Sequence, residues 1–260
     1  MSGTKERTGP MTYEGRIRLG VIVGFIALIE TLCRLNTIPA TVMIAPSEMA
    51  GALAAILASG QYNGDIASST GNVAAAAAIS VVLGFVAGFV IHAWPALRGA
   101  VEPLLASYYA IPTFMFYPVF IIVFGVGNRA IIAIAVLLAV VAMITATLNG
   151  LDRIPQVLHK TARMYRMSRP NRALLIDLPA AAPYLFTGVK LSVAYAFIGV
   201  IASEFILSGS GLGYAIAYAY NNFQNREMYA LMLLILLMAT VVNGALDAVD
   251  KRLQARRSRS

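Results

Sequence analysis

Cysteine and histidine are nearly missing from this chain, which holds one cysteine, Cys33, and two histidines, His92 and His159. A disulfide framework needs paired cysteines and a closed zinc site needs four ligands drawn mainly from these two residue types, so both are excluded. Charged residues make up only 12% of the sequence. That scarcity argues against intrinsic disorder, which rests on high charge and low hydrophobicity. No Gly-x-x-x-x-Gly-Lys-Ser/Thr run occurs either, so the usual phosphate-cradling loop is absent and ATP hydrolysis by that route with it.

What is present is apolar. Of 260 residues 59% are hydrophobic and the mean hydropathy is +0.74, a composition suited to lipid rather than to a water-soluble fold. The net charge of +8 admits two readings, nucleic acid binding or basic loops held on the cytoplasmic side of a membrane. Its distribution decides between them.

A bilayer core of about 30 Å is crossed by roughly 20 apolar helical residues. Windows of that kind predict an all-α polytopic membrane protein with six spans, at residues 17–35, 73–94, 111–126, 130–148, 183–206 and 229–246. The first contains Glu30; the third is short and carries Pro112 and Pro118, which suits a helix packed inside a bundle. Gly84, Ala87 and Gly88 in the second allow close helix approach. No small-x-small cleavage site follows the first span, so it is expected to be a retained helix rather than a signal peptide. Between the first two spans, Pro46 opens a stretch to Ser59 in which Met49, Leu53, Ile56 and Leu57 recur at helical spacing. It predicts an amphipathic helix lying at the membrane interface.

Six spans put both termini on one side. If that side is the cytoplasm, all 20 lysines and arginines except Arg34, Arg129 and Arg226 lie there, as the positive-inside rule requires. The charge is thus an orientation signal, and the lipid bilayer replaces nucleic acid as its partner. The domain layout is a cytoplasmic tail at 1–16, a membrane domain at 17–250 with a cytoplasmic loop at 150–182, and a basic tail at 251–260.

That loop is rich in structure signals. Pro155 and Pro170 can each begin a short helix, and Pro179 marks a boundary before the next span. Leu158, Met164, Met167, Leu174, Leu175 and Leu178 give these helices apolar faces beside arginines. Such faces suit docking into a groove on a partner; a basic loop resting on anionic lipid is the alternative.

Here the sequence resembles a family. Ile176-Asp-Leu178-Pro179, with Arg166 at a glycine position and Lys160-Thr161-Ala162 at the Glu-Ala-Ala positions before it, has the spacing of the loop motif of type I ATP-binding cassette importer permeases. Lys160, Thr161 and Arg166 depart from the pattern. Leu28-Ile-Glu30, Ala45-Pro46-Ser47, Glu102-Pro103, Ala110-Ile-Pro112, Phe124-Gly125-Val-Gly127, Ala202-Ser-Glu204 and Gly211-Leu-Gly213 resemble, in order, landmarks of the nitrate, sulfonate and taurine branch.

The resemblance implies a type I importer permease of the bacterial inner membrane, not itself an enzyme and holding no cofactor. ATP and Mg would bind partner ATPase subunits in the cytoplasm. A second permease copy or paralogue would complete the pathway, and an extracytoplasmic solute-binding protein would deliver a small solute: nitrate, a sulfonate, or an organic nitrogen, sulfur or vitamin-precursor compound. It places ATPase coupling on residues 160–168 and 170–179, with Met164, Tyr165, Ile176 and Leu178 as packing contacts. It also places Thr113, Tyr117, Thr145, Ser192 and Tyr195 on spans that line the pathway.

Two carboxylates fall inside predicted spans. Glu204, near the outer end of the fifth, is read as a gate or binding-protein contact, or else as a helix-end carboxylate that snorkels. Glu30 is read first as an interhelical hydrogen-bonding group. The run Ser208-Gly-Ser210-Gly211-Leu-Gly213 reads as a flexible turn. A serine hydrolase centred on Ser210 is dismissed, since His92 and His159 both belong to the cytoplasmic side. A secondary transporter needing no ATPase is the remaining rival, though no internal repeat supports it.

Overall fold

The computed structural model describes residues 13–257; the predicted tail 1–16 falls largely, and the tail 251–260 partly, outside the described residues. Helices and connecting turns make up the described chain, with no strand among those residues. In order they are α1 (Tyr13–Arg34), α2 (Pro46–Ser59), α3 (Asn63–Ala93), α4 (Pro95–Ser107), α5 (Tyr117–Phe124), α6 (Asn128–Asp152), α7 (Gln156–Met164), α8 (Arg169–Arg172), α9 (Leu178–Leu207), α10 (Leu212–Asn221) and α11 (Asn225–Arg257).

Among the described residues, four helical stretches are long and apolar enough to cross a bilayer: Asn63–Ala93, Asn128–Asp152, Pro170–Leu207 and Asn225–Arg252. They contain the fourth, fifth and sixth expected spans and all of the second except Trp94. The third expected span, 111–126, is not a straight helix. Only its residues 113–124 are helical, and they form the second member of a pair, Pro95–Ala110 and Thr113–Phe124, whose axes meet at 96°. Pro112 explains the break: the ring disfavours helical backbone at the residue before it, and Ile111 is extended at φ −88°, ψ 121°. Counting the bent pair as one crossing gives five. α1, at 22 residues, is long enough for a sixth, but each of its 18-residue stretches includes at least three charged residues from Glu14, Arg16, Arg18, Glu30 and Arg34.

The core is a three-helix unit with α6 in the middle. α3 runs parallel to α6, with Gly84 against Met143 and Gly88 against Thr147. α9 runs antiparallel to it, with Gly188 against Ala146 and Gly199 against Ala135. A Cβ at Gly88 would stand 2.7 Å from Thr147 Cβ, and one at Gly199 only 2.8 Å from Ala135 Cα. Glycine is therefore what lets these backbones approach, and alanines fill the seam: Ala76, Ala77, Ala135, Ala139 and Ala196 are buried with Ile131 and Val200.

The amphipathic helix expected from Pro46 to Ser59 forms as α2, and its apolar stripe packs on protein. It begins at Pro46, ends at Gly60 with φ +66°, and buries Ala52, Leu53 and Ile56 against Leu212 and Ala215 of α10 and Ala230, Leu231 and Leu234 of α11. Its apolar stripe meets protein, while Leu57 stays exposed.

Candidate functional site

Pro155 caps α7, as its fixed φ and missing N–H predispose. The helix turns Leu158 and Ala162 toward the base of the bundle, where Leu158 packs with Leu151, Ile154 and Ala181. Its outer side carries Lys160, exposed, with Met164 83% and Tyr165 78% exposed. Thr161 donates to Val157 O at 3.1 Å. α7 ends in a Schellman turn: Met167 N–H reaches Ala162 O at 3.0 Å and Arg166 N–H reaches Arg163 O at 3.0 Å. Arg166 holds φ +49° there, the left-handed conformation that glycine adopts without strain. The residue at the motif's glycine position thus holds a backbone conformation that favours glycine.

The second short helix expected at Pro170 does not stop at Pro179. Residues 170–207 form one continuous helix, because five residues, Ala173–Asp177, take a π turn in which Leu178 N–H donates to Ala173 O. The wider pairing absorbs the donor that Pro179 lacks. Ile176 and Leu178 are half-buried and Pro179 is exposed. Asp177 is buried, accepts from Arg172 Nε at 3.1 Å, and faces His159 Nδ1 at 3.7 Å; that nitrogen and Asp177 Oδ1 have no hydrogen-bond partner. At the same end, Arg98 binds Asp152 through two bonds of 2.6 Å. His92 Nε2 stands 3.4 Å from that carboxylate, and Lys190 pairs with Asp247.

A groove of about 240 Å³ opens between α6 and α9. Thr145 and Asn149, one helical turn apart, form one wall; Tyr184, Thr187, Leu191 and Tyr195 form the other. Tyr109 closes it from the bend after α4, stacked on Tyr195 with ring centroids 5.3 Å apart. That bend is pinned to α6 by Tyr108 OH, which donates to Leu137 O at 2.6 Å. Thr187 donates to Pro183 O, but no hydrogen-bond partner is present among the described residues for the hydroxyls of Tyr109, Thr145, Tyr184 and Tyr195 or for the Asn149 amide. Arg153 stacks on the Tyr184 ring at 5.4 Å.

Of the residues named for the pathway, the structure brings Thr145 and Tyr195 together in this groove. Thr113 is buried at the bend and Tyr117 begins α5. Ser192 is buried and donates to Ala139 O at 3.2 Å. Tyr109, Asn149, Tyr184 and Thr187 escaped the sequence reading. Their signal was spacing: Thr145 and Asn149 are four apart, and Tyr184, Thr187, Leu191 and Tyr195 recur at three or four.

Glu204 sits at the opposite end and is fully buried, with 0% exposure. Ser69 Oγ donates to it at 2.6 Å, Asn72 Nδ2 at 3.1 Å and Gly213 N–H at 3.2 Å. Ser69 also accepts Leu212 N–H at 2.8 Å, and Asp65 accepts Gly211 N–H at 2.7 Å. The run 208–213 is therefore no flexible turn: its backbone wraps the carboxylate, and a Cβ on Gly213 would stand 2.3 Å from Ile201 O. Glu30 accepts from Ser47 N–H at 3.0 Å and Ser47 Oγ at 2.7 Å, joining α1 to the start of α2.

Residues 80–259 match a family described as binding-protein-dependent transport system inner membrane component. The nitrate import permease protein NrtB of Leptolyngbya laminosa is 27% identical over 187 residues, covering 72% of this chain and 67% of that protein. The bicarbonate transport system permease protein CmpB of Synechococcus elongatus is 31% identical over 156 residues, 60% of this chain and 56% of that one. An inward-facing form of the MetNI methionine ABC transporter superposes with a TM-score of 0.61 at 19% identity, covering 72% of this chain and 95% of its own, a likeness of fold. These findings favour an ATP-coupled importer over a secondary transporter. The chain belongs to the family of binding-protein-dependent transport inner membrane components and is an ABC-type permease.

Proposed function

We propose that this chain, paired with a second copy or paralogue, forms the pathway through which a small solute is imported, with the α6/α9 groove as the wall it passes. The observation that carries the reading is the set of polar groups without partners in that groove. In hydrocarbon each such group costs free energy that nothing repays. A face that keeps four of them on membrane-spanning helices, with a fifth on the bend that closes over them, is a face that meets water and solute.

Residues 160–179 are the docking surface for a cytoplasmic ATPase, on which ATP and Mg are bound and hydrolysed. This chain supplies no hydrolytic chemistry and no cofactor site. Exposed Met164 and Tyr165 beside Lys160 and Arg166 suit a groove on that partner. Helix α9 continues directly from the loop into the membrane, so movement of the docked segment is passed along a rigid rod. The basic surplus sets this end in the cytoplasm with both termini, and α1 serves as the sixth span. A solute-binding protein delivers solute at the other end. Relatives named for nitrate and bicarbonate transport support a small anion, and the hydroxyl and amide donors of the groove suit one.

Cysteine accessibility tests the pathway. Because Cys33 is the sole cysteine, a Cys33→Ser background allows single cysteines at Thr145, Asn149 and Thr187, with Val82 and Val86 on the lipid-facing side of α3 as controls. A membrane-impermeant thiol reagent applied to the reconstituted importer is expected to label the first three, at rates that change with nucleotide, and not the controls. Equal labelling of both groups would refute the assignment.

A further inference from the structure

The turn between α10 and α11 breaks two local rules at one residue. Phe223 holds φ +57° and is 89% exposed. A left-handed backbone is an outlier for a bulky side chain. The turn is a Schellman cap, with Gln224 N–H on Ala219 O at 2.8 Å and Phe223 N–H on Tyr220 O at 3.1 Å, where glycine or asparagine is usual. Asparagines stand at 221 and 222, but the phenylalanine occupies the strained position.

The segment is held firmly. Asn225 Nδ2 donates to Thr41 O at 2.7 Å, Tyr229 OH to Val42 O at 2.6 Å, and Tyr62 OH to Glu227 at 3.2 Å. Around the ring Asn221, Asn222, Gln224 and Arg226 are exposed and polar, and Tyr218 and Tyr220 at the end of α10 are exposed beside it. The Tyr62 and Glu227 link sets the turn at the starts of α3 and α11, the end of the bundle far from residues 150–182. Strain and exposure at a rigid, polar surface have no return within the chain, and strain of this kind gathers where another molecule is engaged.

Resting on the importer reading above, we propose that Phe223 is the anchor by which the solute-binding protein is held, an aromatic side chain presented in fixed geometry to an apolar pocket on that partner. Pre-set geometry lowers the ordering cost of association, and a single buried aromatic commonly dominates such contacts.

The test uses the assembled permease and ATPase complex in nanodiscs and the solute-binding protein encoded with it. Phe223→Gly removes the ring and relieves the backbone, so its melting temperature should equal or exceed that of the wild type. Its affinity for the binding protein should fall by about tenfold or more, with the binding-protein-dependent increment in ATPase falling alongside, while Phe223→Trp keeps both. Undiminished affinity in Phe223→Gly overturns the proposal. So does intact affinity accompanied by lost membrane insertion or lost permease pairing, which would make Phe223 a lipid or subunit contact. If the wild-type complex itself shows no response to the binding protein, the importer reading fails, and this inference with it.

Discussion

Replacing Glu204 with alanine is expected to unfasten the end of the bundle where α3, α9 and α10 meet. Three donors, from Ser69, Asn72 and Gly213, would lose their acceptor. A buried donor left unpaired costs about 1–3 kcal/mol, while side-chain hydrogen bonds in membrane proteins average as little as about 0.6 kcal/mol. The loss for three donors therefore lies between about 2 and about 9 kcal/mol. Glu204→Gln keeps one acceptor oxygen but turns its amide toward Asn72, which must flip to accept; about 1–2 kcal/mol is expected. A double-mutant cycle with Gly211 sharpens the test. A Cβ at Gly211 would stand 2.5 Å from the Glu204 carboxylate, at φ +97°. Truncating Glu204 removes that clash but not the backbone strain, so the two changes together should cost at least about 1 kcal/mol less than their sum. Thermal loss of the monodisperse species of purified importer should rank wild type above Glu204→Gln, and Glu204→Gln above Glu204→Ala. A Glu204→Ala protein melting with the wild type, or a strictly additive cycle, would refute this account.

Arg166→Gly should raise thermal stability by about 1 kcal/mol, since glycine holds the left-handed position without a Cβ penalty; a lower melting temperature would contradict the assignment of strain there. Deleting residues 160–168 should abolish transport and substrate-stimulated ATPase in liposomes while leaving the subunit inserted; unchanged coupling would disprove the docking surface. Asp152→Asn should cost only about 1 kcal/mol, because both partners of the Arg98 pair are partly solvated, and exchanging the two charges should restore much of it, as melting curves would show. Burial, then the Glu227 charge, pushes the Tyr62 hydroxyl up to about 12 from its ordinary 10. The unfolded chain thus ionises first, so the stability it contributes is full below about pH 10 and is lost as pH climbs through about 12. Tyr62→Phe should flatten that alkaline decline in melting temperature.

The spans were legible where apolar residues run unbroken, as in α6 and the first half of α11. Their ends were not. The expected start at residue 73 misses ten residues of α3, because Asp65, Ser69 and Asn72 read as water-facing. They are polar for the sake of Glu204 and the turn around Gly211, partners 132 or more residues away in sequence for the bonds described. Pro179 read as a stop because a lost donor normally ends a helix, and nothing in composition announces the π turn that accommodates it. The groove was half legible. Thr145 and Tyr195 stood out as hydroxyls on membrane helices, whereas Tyr109 enters only through a 96° bend that places it over Tyr195.

Backbone rules are kept inside the bundle and broken at its ends. Where helices meet most closely, at Gly84, Gly88, Gly188 and Gly199, the residue is the one that sterics demand. Among the described residues, the non-glycine ones at positive φ are Asn36, Arg166 and Phe223. Asparagine tolerates that region, its short polar side chain bonding locally. Arginine and phenylalanine do not, and each stands on an exposed Schellman turn, one on the loop after α6 and the other at the far end after α10. A chain shaped for stability alone would carry glycine at both. Local violations without gain inside the molecule concentrate at functional sites, and in the proposed assembly an ATPase meets one of these two ends and a binding protein the other. In that assembly the strain at Arg166 and Phe223 marks where the bundle stops answering to its own packing and begins to answer to its neighbours.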